Sequence, residues 1–258
     1  MPRVVVEVDP ELRFLLPRGR RRSHVEVDAG ATDTAGHVVQ SLGIPLSEVG
    51  ELRLDGREVP RDEQRRAPIG SATVLAVGRR ARPQPHGGRF ILDVHLAALA
   101  RRLRLLGIDT AYEPDADDGW LAAEAAREGR VLLTRDVALL FRALVPDGAL
   151  LVHDDVGDQL DDVLDRFAPA LVPWTRCLVC GRPLAAATAE EVAGEVEPGT
   201  LRTYREFSRC TRCGRVYWRG AHSRRLEAIV EHARERVARS SPGDGDGDGR
   251  HRELRPSS

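Results

Sequence analysis

Phe90-Ile91-Leu92-Asp93-Val94-His95-Leu96-Ala97-Ala98-Leu99-Ala100-Arg101-Arg102-Leu103-Arg104-Leu105-Leu106-Gly107 is the stretch that decides the architecture. A short apolar run ends in a carboxylate. Leu96, Leu99, Ala100, Leu103 and Leu106 then recur at helical spacing with arginines on the other face, and Gly107 ends the helix. The same alternation continues downstream. Ile108 to Tyr112 reads as a strand, Asp118 to Arg127 as a helix and Val131 to Leu133 as a strand, followed by a helix at Val137 to Leu144. A fourth strand at Ala149 to Val152 and a fourth helix at Gln159 to Phe167 complete the series. Repeated strand–helix units predict a parallel sheet with helices on both faces.

The carboxylates fall at equivalent places in these units. Asp93, Asp136 and Asp154-Asp155 each follow an apolar run, and Asp118 opens the second helix. In open parallel sheets the reactive crevice lies beyond the carboxyl ends of the strands, so these side chains are expected to converge there. Such oxygen ligands suit Mg²⁺ or Mn²⁺, which can activate a water and stabilise the leaving oxygen of a phosphodiester. Each aspartate also has a simpler reading: Asp118 and Asp136 as helix caps, Asp154 and Asp155 as turn residues. Asp93, directly after an apolar strand, is the hardest to explain that way.

Outward from this core, the first 80 or so residues form a different pattern. Val4 to Val8 and His24 to Val27 predict paired strands joined by an arginine-rich connection around Gly19-Arg20-Arg21-Arg22. Thr32 or Asp33 is expected to cap a helix reaching Leu42; Leu52 to Leu54 and Arg57 to Val59 flank the hairpin signal Asp55-Gly56, and Thr73 to Val77 closes the set. This order resembles a ubiquitin-like β-grasp domain over 1–80, and in particular its sulfur-carrier branch. Those carriers use a free C-terminal Gly-Gly, whereas Gly87-Gly88 is internal here, which leaves a fused interaction or scaffolding module with a possible protein partner. Arg82-Pro83-Gln84-Pro85-His86-Gly87-Gly88 reads as a linker over 81–88, extended at its prolines and flexible at its glycines.

On the other side, Cys177-Leu178-Val179-Cys180-Gly181 and Cys210-Thr211-Arg212-Cys213-Gly214 are matching knuckles. Four thiolates at this spacing suit a structural Zn²⁺ with no open coordination position. Their glycines are expected to take the tight turn that points backbone amides at sulfur. Residues 174–239 thus read as a zinc ribbon with a long polar helix from Ala221 to Arg239, and 240–258 as a disordered tail whose Asp-Gly repeats lack the closing glutamate of a calcium loop. Arg215, Tyr217, Trp218 and Arg219 interleave aromatics with charge; they suit either stacking on an RNA strand or packing of the ribbon onto the core. His222 sits near Arg224 and Arg225 at the helix start.

Composition bounds the function. The chain has 258 residues, 41% hydrophobic and 31% charged, with no apolar run long enough to span a membrane. Its amino terminus lacks a secretion signal and its 4 cysteines are paired for metal, so an intracellular, cytoplasmic protein is expected. The formal net charge is -1, yet every basic side chain is arginine; eight arginines crowd 201 to 225, while 109 to 165 is mainly acidic. Uniform arginine usage fits compositional bias, whereas its clustering fits phosphate contact.

Together, Phe90 to Asp93, the Leu99 to Gly107 helix, Leu132-Leu133-Thr134-Arg135-Asp136 and the cysteine pairs resemble the Mut-seven C-terminal RNase family. The resemblance implies a PIN-like nuclease fold over 89–173 with an appended zinc ribbon, and in some members a ubiquitin-like domain in front. It implies metal-dependent RNA cleavage by residues matching Asp93, Asp118 and Asp136, with Asp154 or Asp155 beside them. Family members usually carry Gly-Lys where this chain has Ala97-Ala98, and tryptophan where it has Arg102. Arg101, Arg104 or Arg135 are candidates to supply the missing positive charge to RNA, although guanidinium and ammonium are not equivalent. A noncatalytic RNA-binding adaptor on the same fold is the alternative, and a receiver-like phosphoacceptor is disfavoured because the chain has no lysine.

Overall fold

A computed structural model describes residues 3–142, 144–145, 147–220 and 223–240. Its first unit comprises β1 (Arg3–Val8), a 3-10 turn (Pro10–Leu15), β2 (His24–Asp28), α1 (Ala35–Ser41), β3 (Val49–Leu54), β4 (Arg57–Glu58) and β5 (Val74–Arg79). The sheet order is β2-β1-β5-β3-β4, with β1 and β5 parallel and the other pairs antiparallel. One helix packed across this mixed sheet is the β-grasp arrangement. Alternation explains the burial: Val4, Val6 and Val8 point to the core with Leu42, Ile44, Leu52 and Leu75. Asp55 and Gly56 both have positive φ, 45° and 80°, as the tight hairpin turn requires. The helix cap differs from expectation. Thr34 accepts from the His37 amide at 3.1 Å, while Asp33 takes the Gly30 amide at 2.7 Å and shapes the preceding loop instead.

The second unit contains β6 (Arg89–Leu92), a 3-10 turn (Val94–Leu96), α2 (Ala97–Leu105), β7 (Asp109–Tyr112), α3 (Asp118–Glu128), β8 (Val131–Thr134), α4 (Val137–Leu140), β9 (Gly148–Leu150) and α5 (Val156–Phe167). All its strands run parallel in the order β7-β6-β8-β9, the PIN-like sheet. Alternate side chains feed two cores. Phe90, Leu92 and Leu133 join α2 and α5 on one face, while Ile91 and Leu132 join α3 and α4 on the other. Gly107 has φ 81°, and a Cβ there would lie 2.0 Å from the Val172 carbonyl, so no other residue fits this turn.

Two elements are shorter than their hydrophobicity suggests. Helix α4 stops at Leu140 because the chain turns through bonds from Phe141 to Ala138 and from Arg142 to Leu139, leaving Leu144 exposed. Strand β9 starts one residue early and ends at Leu150, so Val152 faces solvent. At α5 the helix begins earlier than expected because Asp155 caps it.

The third unit has β10 (Leu184–Ala187), α6 (Ala189–Val192), α7 (Pro198–Thr203), β11 (Phe207–Cys210), β12 (Val216–Trp218) and α8 (Ser223–Ser240). Its sheet is antiparallel, in the order β10-β11-β12. Helix α8 returns to α5, burying Val230 and Ala233 and placing Arg236 against Asp161 and Asp165. Ala221 and His222 lie outside the described residues, as does the expected tail of 240–258 except Ser240, which ends α8.

The segment expected to be a flexible linker is packed. Gln84 is buried and its amide donates to the Arg166 carbonyl at 2.6 Å; the His86 ring lies against Phe90 and Phe167 and donates from Nε2 to the Phe167 carbonyl at 2.9 Å. The β-grasp domain is bolted to the parallel sheet beside it. Arg166 donates to Glu48 at 2.5 Å, the Leu150 amide donates to the same carboxylate at 2.6 Å, and Arg80 pairs with Asp147. Leu15 packs in both cores.

Candidate functional site at the carboxyl edge and the zinc ribbon

The strands end together at one edge, since Leu92 aligns with Tyr112 and Leu133, and Thr134 with Leu150. Asp93 follows at once and is 4% exposed. A buried carboxylate must be hydrogen-bonded, and this one is. Its Oδ1 accepts from the His95 amide at 2.8 Å, and its Oδ2 accepts from the Arg135 amide at 3.0 Å and from the Thr134 hydroxyl. Three of about four lone-pair positions are thereby filled, and the one left is on Oδ1.

The Thr134 hydroxyl also accepts from the Asp136 amide at 2.9 Å. Asp136 is exposed and caps α4, its Oδ1 accepting from the Ala138 amide at 2.8 Å, and its Oδ2 takes no hydrogen bond among the described residues. Arg135 completes the link, because its amide holds Asp93 while its guanidinium pairs with Asp154. Asp155 is spent on the α5 cap, with the Gly157 amide at 2.6 Å and the Asp158 amide at 3.3 Å. Asp118 is the first residue of α3 rather than its cap, a role taken by Asp117, and it pairs with Arg142 at 3.3 Å. The structure thus ties Asp93, Asp136 and Asp154 together through Thr134 and Arg135, while Asp118 pairs with Arg142. Among the described residues, no three carboxylates bring oxygens within 4.8 Å of one another. This donor set suits a hard cation that retains much of its water shell.

The four cysteines are drawn much closer. Their sulfurs all lie within 4.8 Å of one another, with Cys180–Cys210 at 3.4 Å, Cys177–Cys213 at 3.7 Å and Cys180–Cys213 at 3.8 Å. A tetrahedron of thiolates on zinc at ~2.3 Å has edges of ~3.8 Å, so the group is able to hold such an ion. Gly181 and Gly214 both have φ 72°, and each donates its amide back to the first cysteine carbonyl of its knuckle, at 2.9 and 3.1 Å. In the second knuckle the Arg212 and Cys213 amides point at Cys210 Sγ, at 3.4 and 3.5 Å. Burial works against ionisation of Cys177, but the Tyr217 hydroxyl and the Cys180 and Val179 amides outweigh it and hold its pKa down to about 6. Burial and the neighbouring sulfurs push Cys180 up to about 12, although a backbone bond opposes them. A dication resolves that conflict by stabilising every thiolate.

Arg104 was expected on the RNA side, and the structure corrects this. It is 2% exposed and donates to the carbonyls of Thr110 at 3.1 Å, Leu178 at 3.4 Å and Val179 at 2.6 Å, fastening the first knuckle to α2 and β7. Arg176 makes a parallel attachment to the Gly107 carbonyl and Asp109. Both attachments reach the amino-terminal end of β7, opposite the carboxyl edge, so the thiol cluster lies away from the candidate carboxylates.

Of the other arginines, Arg101 is exposed and, among the described residues, bonds only the Ala97 carbonyl at 3.4 Å. Arg215, Tyr217, Trp218 and Arg219 meet around one groove of about 700 Å³ between the ribbon and the core. Tyr217 is committed to packing, with its hydroxyl 3.1 Å from Cys177 Sγ. Trp218 is 42% exposed, and the Arg219 guanidinium stacks over Trp174 at 5.1 Å. Trp174 holds φ 68°, an uncommon conformation for an aromatic residue. His222 lies outside the described residues.

Thr134 had not been singled out from sequence, although its place between a strand and two candidate residues was a usable signal. Glu48, Arg80, Asp147 and Arg166 had none, since each meets a partner far away in the chain.

No helix among the described residues is long and apolar enough to cross a membrane. Neither a curated protein nor a solved structure matches the chain. The family model for the Mut7-C ubiquitin domain matches residues 1–68. The model for the Mut7-C RNAse domain matches residues 88–230, more than half of the chain, spanning the parallel sheet, its edge carboxylates and both knuckles. By that match and by this architecture, the chain belongs to the Mut7-C RNAse domain family, with the family's ubiquitin-like domain in front.

Proposed function

We propose that the chain hydrolyses RNA phosphodiester bonds at the carboxyl edge of its parallel sheet. The observation that carries this reading is the fixing of buried Asp93 by Thr134 and Arg135, which also position Asp136 and Asp154. Asp93 Oδ1 and Asp136 Oδ2 are the oxygens that would hold Mg²⁺ or Mn²⁺, with Asp154 linked to Asp93 through Arg135. When bound, such a cation supplies an acidified water and charge stabilisation at the phosphate. Arg135 and the exposed Arg101 neutralise neighbouring phosphates, and Arg215, Trp218 and Arg219 hold a flanking part of the strand in the ribbon groove. Zn²⁺ on Cys177, Cys180, Cys210 and Cys213 keeps that ribbon folded.

Labelled RNA incubated with Mg²⁺ or Mn²⁺ tests this. Asp93→Asn and Asp136→Asn should each lower cleavage on the order of 100-fold or more, the scale of losing a charge-stabilising group. Equal activity in wild type and both variants would sink the site. One observation favours a noncatalytic RNA-binding adaptor: Ala98, the exposed residue in the first turn of α2, supplies no cation near Asp93 in the chain. Wild type that binds varied RNAs and cleaves none would select that reading.

A further inference from the structure

The crevice at the carboxyl edge has a wall from the β-grasp domain. A hollow of about 430 Å³ lies between Phe14 and Leu15 on one side and Arg135, Phe141 and Val152 on the other. Arg135 is the residue that holds Asp93 and Asp154, so the hollow opens beside the candidate catalytic carboxylates. Its rim is apolar and exposed: Phe14 is 45% and Val152 51% accessible. Its geometry is fixed, because Leu15 packs in both cores and Glu48–Arg166 locks the domains.

The turn after Phe14 folds back against it. Arg21 donates to the Phe14 carbonyl at 3.0 Å and to the Leu16 carbonyl at 3.2 Å. In that turn Arg18, Arg20 and Arg22 are exposed, and among the described residues their side chains have no hydrogen-bond or ion-pair partner. Arginines elsewhere at the domain junction are paired: Arg80 with Asp147, Arg82 with Asp162 and Arg166 with Glu48. The four steps from Phe14 to Arg18 span at most ~14 Å.

We propose that the β-grasp domain binds the RNA substrate: the hollow between Phe14 and Phe141 receives a nucleobase, and Arg18, Arg20 and Arg22 hold adjacent phosphates. An aromatic platform beside unpaired guanidiniums is the chemistry that holds a single strand. An acidic protein partner would satisfy the arginines but would give no role to an apolar hollow opening on the carboxylates. The proposal rests on the ribonuclease reading and extends its substrate track onto the first domain.

The test is fluorescence anisotropy of a short single-stranded RNA on the full chain, carrying Asp93→Asn to stop turnover, across a salt series. Adding Arg18→Ala, Arg20→Ala and Arg22→Ala together should weaken binding about tenfold or more and lower the salt slope by about 2. Phe14→Ala should weaken it about fivefold or more, and Phe14→Trp should retain the parent affinity. These side chains are exposed, so thermal melting should be unchanged in each variant. Parent-like affinity and salt slope in all of them would overturn the proposal and assign this face to a protein partner, leaving the ribonuclease reading intact. No RNA binding by the parent would overturn both.

Discussion

Thr134 is the residue on which the carboxyl edge turns. Its hydroxyl donates to Asp93 and accepts from the Asp136 amide, so one oxygen sets the relation between the two candidate metal-holding carboxylates. Thr134→Val keeps the volume and removes the oxygen. It should cost about 1–3 kcal/mol of stability by leaving a buried carboxylate short of a donor. Misplacing Asp93 and Asp136 should lower kcat on the order of 100-fold while RNA affinity stays near wild type. Thr134→Ser should restore both, and a serine variant as impaired as valine would make the methyl group, and packing alone, responsible. At this scale the sequence was informative about charge and poor about burial. Asp93 stood out because a carboxylate directly after an apolar strand needs a reason, whereas Asp136, one residue further from its strand, is the helix cap that its sequence position also allowed. Arg104 was misread because it shares a helix with the exposed Arg101, and only the knuckle folding over it makes it an interior residue.

Helix α8 shows how an element polar along most of its length is held. It buries little beyond Val230 and Ala233, and its register on α5 comes from Arg236, which bonds both Asp165 oxygens, at 2.8 and 2.7 Å, and Asp161 at 2.6 Å. The hydrogen bonds from Arg236 lower the Asp165 pKa, outweighing a partial burial that raises it. A carboxylate depressed in the folded state stabilises it above the ordinary value of 3.8, and that contribution is lost as pH falls through the lower folded value. Acid titration followed by circular dichroism should therefore show Arg236→Ala losing helix at a higher pH than wild type. Coincident midpoints would remove this pair from the account of docking. The long polar helix itself was readable, and so were the four strands and helices before it. Element ends were harder: α4 stops at Leu140 although apolar residues continue to Leu144, because the chain must turn there to bring β9 beside β8. Helix α1 likewise chose Thr34 over Thr32 or Asp33, since Asp33 had a loop amide to satisfy.

For the whole molecule, the question is whether the β-grasp domain and the parallel sheet behave as one body. Composition marked 81–88 as a linker, and nothing in the neighbouring sequence contradicts that, because Glu48 and Arg166 lie 118 residues apart and carry no pattern that pairs them. Their contact is nonetheless the most enclosed ion pair between the two domains among the described residues, with side chains 8% and 5% exposed. Glu48→Ala would strand a guanidinium with only Asp162, at 3.7 Å, to offset it, and would deprive the Leu150 amide of its acceptor. Breaking a buried pair in this way costs about 3–5 kcal/mol. Glu48→Gln keeps an acceptor for Leu150 and Arg166 and should cost less. Calorimetry of wild type should show one transition for both domains, whereas Glu48→Ala should split it, with the β-grasp domain melting first. Two transitions already present in wild type would mean that the junction does not couple the domains. In that case Phe14 would not be held rigidly beside Arg135, and the RNA affinity lost on Phe14→Ala should be correspondingly small.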